Sequence, residues 1–265
     1  MGILNITPDS FSDGGQYFDL PSALGRAFQM VADGADIIDI GGESTRPGSE
    51  PLPLEEELKR IIPVIEILAR DLPVPISIDT YKASVAKRAL EAGAAMVNDI
   101  SGLRFDPEMP SVVSQYGIPV VIMHIRGTPK DMQENPRYTA LMPEILAYLR
   151  ESLAIAATAE IPPDKIIIDP GIGFGKTFEH NLEILHNLPM LSALNKPVLV
   201  GPSRKAFIGR ILGDAPPGER LEGTAAAVAI AIFNGANIIR VHDVKEMARV
   251  AKVADAVKTM RIGTA

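Results

Sequence analysis

Asn5, Asp79, Asn98, Asp99, His124, Asp169, Ser203, Lys205, Arg240 and His242 each stand at or just beyond the end of a short apolar run. Asp and Asn commonly end strands and begin turns. Lys, Arg and His inside apolar runs need another explanation, because buried charge is costly unless it is paired. Arg240 is the sharpest case. It lies in Asn-Ile-Ile-Arg-Val-His-Asp, two residues before His242, so in a strand both side chains project to the same side. Arg46, Lys205, Arg240 and His242 together offer a local positive patch suited to a phosphate-bearing substrate. Asp79, Asn98 and Asp169 offer oxygens that accept N–H bonds from a flat nitrogen heterocycle. These residue types suggest a ligand with a nitrogen-rich ring at one end and phosphate at the other.

Other motifs fail their own requirements. Asp169-Pro-Gly-Ile-Gly-Phe-Gly-Lys-Thr177 resembles a phosphate loop, but the Walker pattern requires Gly where this segment has Pro170. It does not open a helix after a first strand, so it is not a dinucleotide fingerprint. Its glycines are expected to let backbone approach a ligand. His180 and His186 fall on different faces of one helical stretch and read as surface residues. No His pairs with Asp or Glu at a zinc-binding spacing. No Gly-x-Ser-x-Gly elbow supports a hydrolase triad.

The elements that must hold these residues repeat one rhythm: a short apolar run, a loop, then an amphipathic stretch. The runs are Gly2–Ile6, Asp36–Ile40, Pro75–Asp79, Ala95–Asp99, Pro119–His124, Lys165–Asp169, Pro197–Gly201 and Asn237–His242. They are rich in Ile and Val on both faces, as strands buried under helices should be. The helical stretches are Pro21–Ala32, Leu54–Arg70, Ala83–Glu91, Pro107–Tyr116, Pro143–Ala159, Glu179–Leu191, Leu221–Phe233 and Val244–Thr259. Alternation repeated about eight times without a linker predicts one domain, residues 1–265, folded as a (β/α)₈ TIM barrel. A doubly wound sheet is the alternative, and it would carry a nucleotide loop after its first strand. In a barrel the strand ends converge on one mouth. The long segments Thr7–Leu20 and Gly41–Pro53 follow strands one and two and flank that mouth. Their Gly, Pro and Ser content predicts mobility without ligand.

Composition sets outer limits. The chain has 265 residues, 46% hydrophobic and 22% charged, with a net charge of −7. Disorder over the whole chain is excluded, and nucleic acid or an anionic membrane is an unexpected main partner. Cysteine is absent, which removes disulfides and thiolate chemistry and fits the cytoplasm. No run approaches the roughly 20 apolar residues of a membrane helix. The stretch Leu221–Ala236 has almost no polar face. An outer barrel helix should be polar outside, so a homodimer through the seventh and eighth helical stretches is expected.

Seven segments carry a resemblance to the dihydropteroate synthases: Gly2–Gly15, Asp39–Gly48, Ser77–Thr80, Val97–Gly102, Asp169–Lys176, Ser203–Lys205 and Arg240–Asp243. They run across nearly the whole chain in family order. The resemblance implies a folate-pathway transferase that joins 4-aminobenzoate to the CH₂ of 6-hydroxymethyl-7,8-dihydropterin diphosphate. It implies that Asp79, Asn98, Asp169 and Lys205 bind the pterin and that Arg240 stacks on it. Asn5, Arg46, Arg240 and His242 would hold the diphosphate, with Asn5 also reaching Mg²⁺. Phe11, Thr45, Pro47 and Ser203 would form the aminobenzoate pocket. Lys205, Arg240 and Asp79 would be the catalytic set. The family also has an N-terminal segment ahead of the first signature, and it is commonly dimeric. A pterin-binding methyltransferase domain and a non-catalytic pterin-binding barrel are the alternatives. The first gives no reason for the two long loops, and the second would be expected to lack some diphosphate residues.

Overall fold

The computed structural model describes residues 1–6 and 20–260. Phe11, with most of the loop after the first strand, lies outside the described residues. The strands are β1 (Gly2–Asn5), β2 (Ile38–Gly41), β3 (Ile76–Asp79), β4 (Met96–Asp99), β5 (Val120–Met123), β6 (Ile166–Asp169), β7 (Leu199–Val200) and β8 (Ile238–Ile239). All neighbours pair in parallel, β1 through β6 in sequence and β7 with β8. Two isolated parallel bridges close the ring: Ile168 with Val198 joins β6 to β7, and Gly2 with Val241 joins β8 to β1. The closing hydrogen bonds include Ile3 N to Val241 O at 2.9 Å and Val241 N to Met1 O at 3.0 Å. The eight-stranded parallel barrel expected from the alternation is therefore the fold.

The helices are α1 (Leu20–Ala32), α2 (Leu54–Asp71), α3 (Ala83–Glu91), α4 (Met109–Tyr116), α5 (Leu141–Thr158), α6 (Phe178–Asn187), α7 (Ala206–Ile211), α8 (Leu221–Phe233) and α9 (Val244–Thr259). Two show a local cause plainly. The acidic first turn of α2, Glu55 to Glu57, complements the positive end of the helix dipole, and Arg70 complements the other end. Thr177 and His180 form a reciprocal capping box at the start of α6. The main core lies between strands and helices, where Ile38, Ile40, Ile61, Ile65, Leu68 and Ile78 are fully buried.

Two expectations change. α7 is an additional helix between β7 and α8. It is short, and Pro, Gly and Asp residues around it break any periodicity. β7 and β8 are also shorter than the apolar runs that contain them. The backbone of Arg240 still runs beside β7, its N–H donating to Val200 O at 3.0 Å.

Candidate active site

The side chains that converge at the C-terminal mouth of the barrel are built around Arg240. Its Nε donates to Asp39 Oδ2 and its Nη2 to Asp79 Oδ2, both at 2.6 Å. Asn98 Nδ2 donates to the same Asp39 oxygen at 3.1 Å. The strand register explains the grouping, because Asp79 on β3 is the direct partner of Asn98 on β4. Gly201 lies beside the arginine: a Cβ there would be in ordinary contact with Arg240 Cβ, at 3.7 Å. Asn5 is paired with Gly41 on β2, and a Cβ at Gly41 would lie 3.8 Å from Asn5 Oδ1 and 3.6 Å from Asp79 Oδ2.

Two carboxylates share one guanidinium in a site with little water. Burial above all, then the neighbouring Asp39, raises Asp79, to about 7, against the pull of Arg240. Arg240, despite its burial, is held above its ordinary value by Asp39 and Asp79. The remaining Oδ1 of Asp39 and Oδ1 of Asp79 are buried and have no partner among the described residues. Unmet buried acceptors are costly.

Lys205 and Asp169 form the opposite wall. Asp169 Oδ1 accepts from Gly171 N at 2.7 Å, and burial raises its carboxyl, to about 6. Lys205 Nζ sits 4.3 Å from the centre of the Phe174 ring, a cation–π contact. Burial and then Arg240 push Lys205 down, to about 8. His242 pairs with Ser203 across 2.9 Å. Burial, with Arg240 and Arg204 behind it, lowers His242 to about 3, so it is neutral at ordinary pH. Arg204 forms a bidentate pair with Asp243, tying the β7 and β8 loops together.

The remaining expected residues fall into other settings. Arg46 and Pro47 are exposed and Thr45 is half-buried on the loop after β2. None contacts the Arg240 group among the described residues. That loop is better held than its composition suggests. Glu43 accepts from Leu52 N, Tyr81 Oη and Lys82 Nζ, and Lys82 also reaches Glu57 at 2.7 Å. Gly48 N donates to Pro129 O at 2.9 Å. A buried ion-pair network closes the base of this segment.

Asp99 takes the plain turn role: its two oxygens accept from Ser101 N and Leu103 N at 2.7 and 2.8 Å. His124 lies outside the mouth, 3% exposed, between Tyr138 and Tyr148. The glycines of 169–177 also serve the chain itself. Gly171, at φ +72°, lies where any Cβ would collide with the His124 carbonyl oxygen. Gly173, at φ +81°, lies where a Cβ would meet Lys205 Nζ at 3.1 Å. His180 is half-buried as the α6 cap, while His186 is exposed. Residue types alone passed over Asp39 and Phe174. An Asp flanked by Ile on both sides, within the apolar run Asp36–Ile40, was the available signal for the first; Phe174 had none.

Residues 1–242 match the family described as pterin binding enzyme. The dihydropteroate synthase of Synechocystis sp. is 54% identical over 256 residues, covering 97% of this chain and 89% of that protein. A crystal structure of the Yersinia pestis dihydropteroate synthase in a sulfonamide drug complex superposes with a TM-score of 0.92 at 44% identity, covering 97% of this chain and 93% of that one. The Xanthomonas albilineans enzyme with 4-aminobenzoic acid gives a TM-score of 0.91 at 43% identity, covering 97% and 92%.

Proposed function

The chain belongs to the pterin-binding enzyme family, with the dihydropteroate synthases, and we propose how its barrel mouth carries out their reaction. The reaction joins 4-aminobenzoate to the CH₂ of 6-hydroxymethyl-7,8-dihydropterin diphosphate in folate biosynthesis. The CH₂–O bond breaks, a CH₂–N bond forms, and diphosphate and the amine proton leave.

The observation that carries the assignment of roles is the Asp39–Arg240–Asp79 bridge with its unpaired Asp79 oxygen. Asp79, Asn98 and Asp169 accept and donate hydrogen bonds along the pterin edge, and Lys205 approaches its opposite side. The flat guanidinium of Arg240, fixed in place by both carboxylates, presents a face for the ring to stack on. Arg240, Arg46, neutral His242 and Asn5 receive the diphosphate, and the cations stabilise the charge that grows on it. The dihydropterin donates electrons to the CH₂, so departure precedes attack in an SN1-like path. The neutral amine of 4-aminobenzoate then attacks without a strong base, and Thr45, Pro47, Ser203 and Phe11 shape its pocket. The protein's contribution is orientation and exclusion of water.

No cluster of three or more His, Cys, Asp or Glu suited to a metal occurs among the described residues. The half-buried amide of Asn5, beside Gly41, is a single oxygen ligand. That fits Mg²⁺, which keeps several waters and binds largely through substrate phosphates. Such an ion would supply charge neutralisation of the leaving diphosphate.

The chain is read as a cytoplasmic homodimer. Among the described residues no helix is long and apolar enough to cross a membrane. Ile230, Phe233, Val253 and Val257 are 49 to 66% exposed along a groove between α8 and α9 of about 680 Å³. A second copy of this face would cover it.

The roles are tested by Lys205→Ala and Arg240→Ala. Each loses at least roughly thirtyfold in kcat/KM, as truncating one partner of a buried charge contact costs about 2–5 kcal/mol. Circular dichroism stays unchanged. Near wild-type kcat/KM in either variant contradicts the assignment. Exchange of the bridging oxygen in labelled pterin diphosphate without 4-aminobenzoate tests the dissociative step, and absence of exchange argues for direct displacement.

A further inference from the structure

Lys176, the lysine of the Walker-like segment, turns away from the mouth and is 2% exposed. Its Nζ lies 2.9 Å from His124 Nδ1, 2.8 Å from Phe174 O and 3.2 Å from Gly171 O. Burial pushes Lys176 down, to about 7; in its protonated form it has three N–H donors and no acceptor, and these contacts then use each donor once. Nδ1 of His124 is then an acceptor, and its proton sits on Nε2. Burial and Lys176 hold His124 down, to about 2, so the ring stays neutral.

Two of these acceptors belong to the loop between β6 and α6, and the third follows β5. The same loop carries Gly173 and Phe174, the two residues packed against Lys205. Tyr138 Oη donates to Gly175 O at 2.8 Å, and Gln133 and Asn181 bond to Gly173. Lys176 reaches both the loop and the end of β5 from within the core.

We propose that Lys176 is a positioning residue for pterin binding: it pins the Gly171–Gly175 loop so that Phe174 seats the Lys205 ammonium. The proposal rests on the reading of Lys205 as a pterin ligand. It assigns to the glycine-rich segment the task of aligning a cation rather than cradling a phosphate.

The test compares Lys176→Met, Phe174→Leu, the double variant and Lys205→Ala. A non-reactive pterin analogue is titrated by calorimetry, and the KM for 4-aminobenzoate is measured alongside. Lys176→Met weakens analogue binding by roughly tenfold while the KM for 4-aminobenzoate stays within about twofold. Added to Phe174→Leu it costs less than about threefold more, because both act through one seat. Full additivity in the double variant, or equal losses for both substrates, overturns the proposal. If Lys176→Met does not fold, Tyr138→Phe decides. It removes a second tie on the same loop, and a pterin-selective loss supports the proposal while none overturns it. Lys205→Ala separates the layers: unchanged analogue binding there overturns the underlying reading, whereas a loss there with none in Lys176→Met overturns only the positioning role.

Discussion

At the residue scale, acidity in the mouth is set by burial against a few opposed charges. Asp169, raised to about 6, is protonated below that pH and then loses its charge-assisted acceptance. Lys205, lowered to about 8, sheds its proton above that pH. The expected outcome is a bell-shaped profile of kcat/KM for pterin diphosphate, falling on the acid side between about 7 and about 6, as Asp79 and then Asp169 take up protons, and on the alkaline side near 8. Lys205→Arg should move the alkaline limb up. A profile flat from pH 5 to 9 would remove these groups from the step. Asp169→Asn should weaken a pterin analogue by about tenfold or more in calorimetry, since hydrogen bonds to a charged group are worth about 1.5–3 kcal/mol, while aminobenzoate binding changes little. Most of this set was legible because charged residues interrupt apolar runs. Asp39 was harder, since its partners, Asn98 on β4 and Arg240 just beyond β8, lie far away in sequence. His124 and Asp99 shared the pattern of the mouth residues but serve the loop and the turn, a difference that only the tertiary structure reveals.

At the element scale, the strands and most helices followed from pattern, because parallel strands covered by helices leave uninterrupted Ile and Val runs. α7 escaped because six residues give too few turns for periodicity. The loop after β2 shows a second kind of illegibility. Its own residues look unconstrained, but Glu43 ties it to Tyr81 and Lys82 beyond β3. Glu57 is almost fully buried, and burial raises its carboxyl despite Lys82. Removing Lys82 therefore strands a buried acid. Lys82→Met should lower stability by about 3 kcal/mol or more and raise hydrogen exchange across Gly42–Pro53. If exchange there is already fast in the wild type, the network does not hold the loop in solution.

At the scale of the whole molecule, α8 and α9 leave an apolar face that a monomer would expose to water. Sedimentation at micromolar concentration should give twice the 28.4 kDa chain mass, and Ala229→Glu should return it to the monomer. A wild-type monomer would mean that this face is covered in some other way. The barrel itself brings residues from β1, β2, β3, β4, β6, β7 and β8 to one end, which is what the proposed chemistry requires. The central claim is that this mouth exchanges diphosphate for an arylamine. Its most direct test is the release of diphosphate and the formation of 7,8-dihydropteroate by the purified protein, followed together. Equal amounts of both are expected, and only when pterin diphosphate, 4-aminobenzoate and Mg²⁺ are all present. Diphosphate released at full rate without 4-aminobenzoate, or no 7,8-dihydropteroate with all three present, would contradict it.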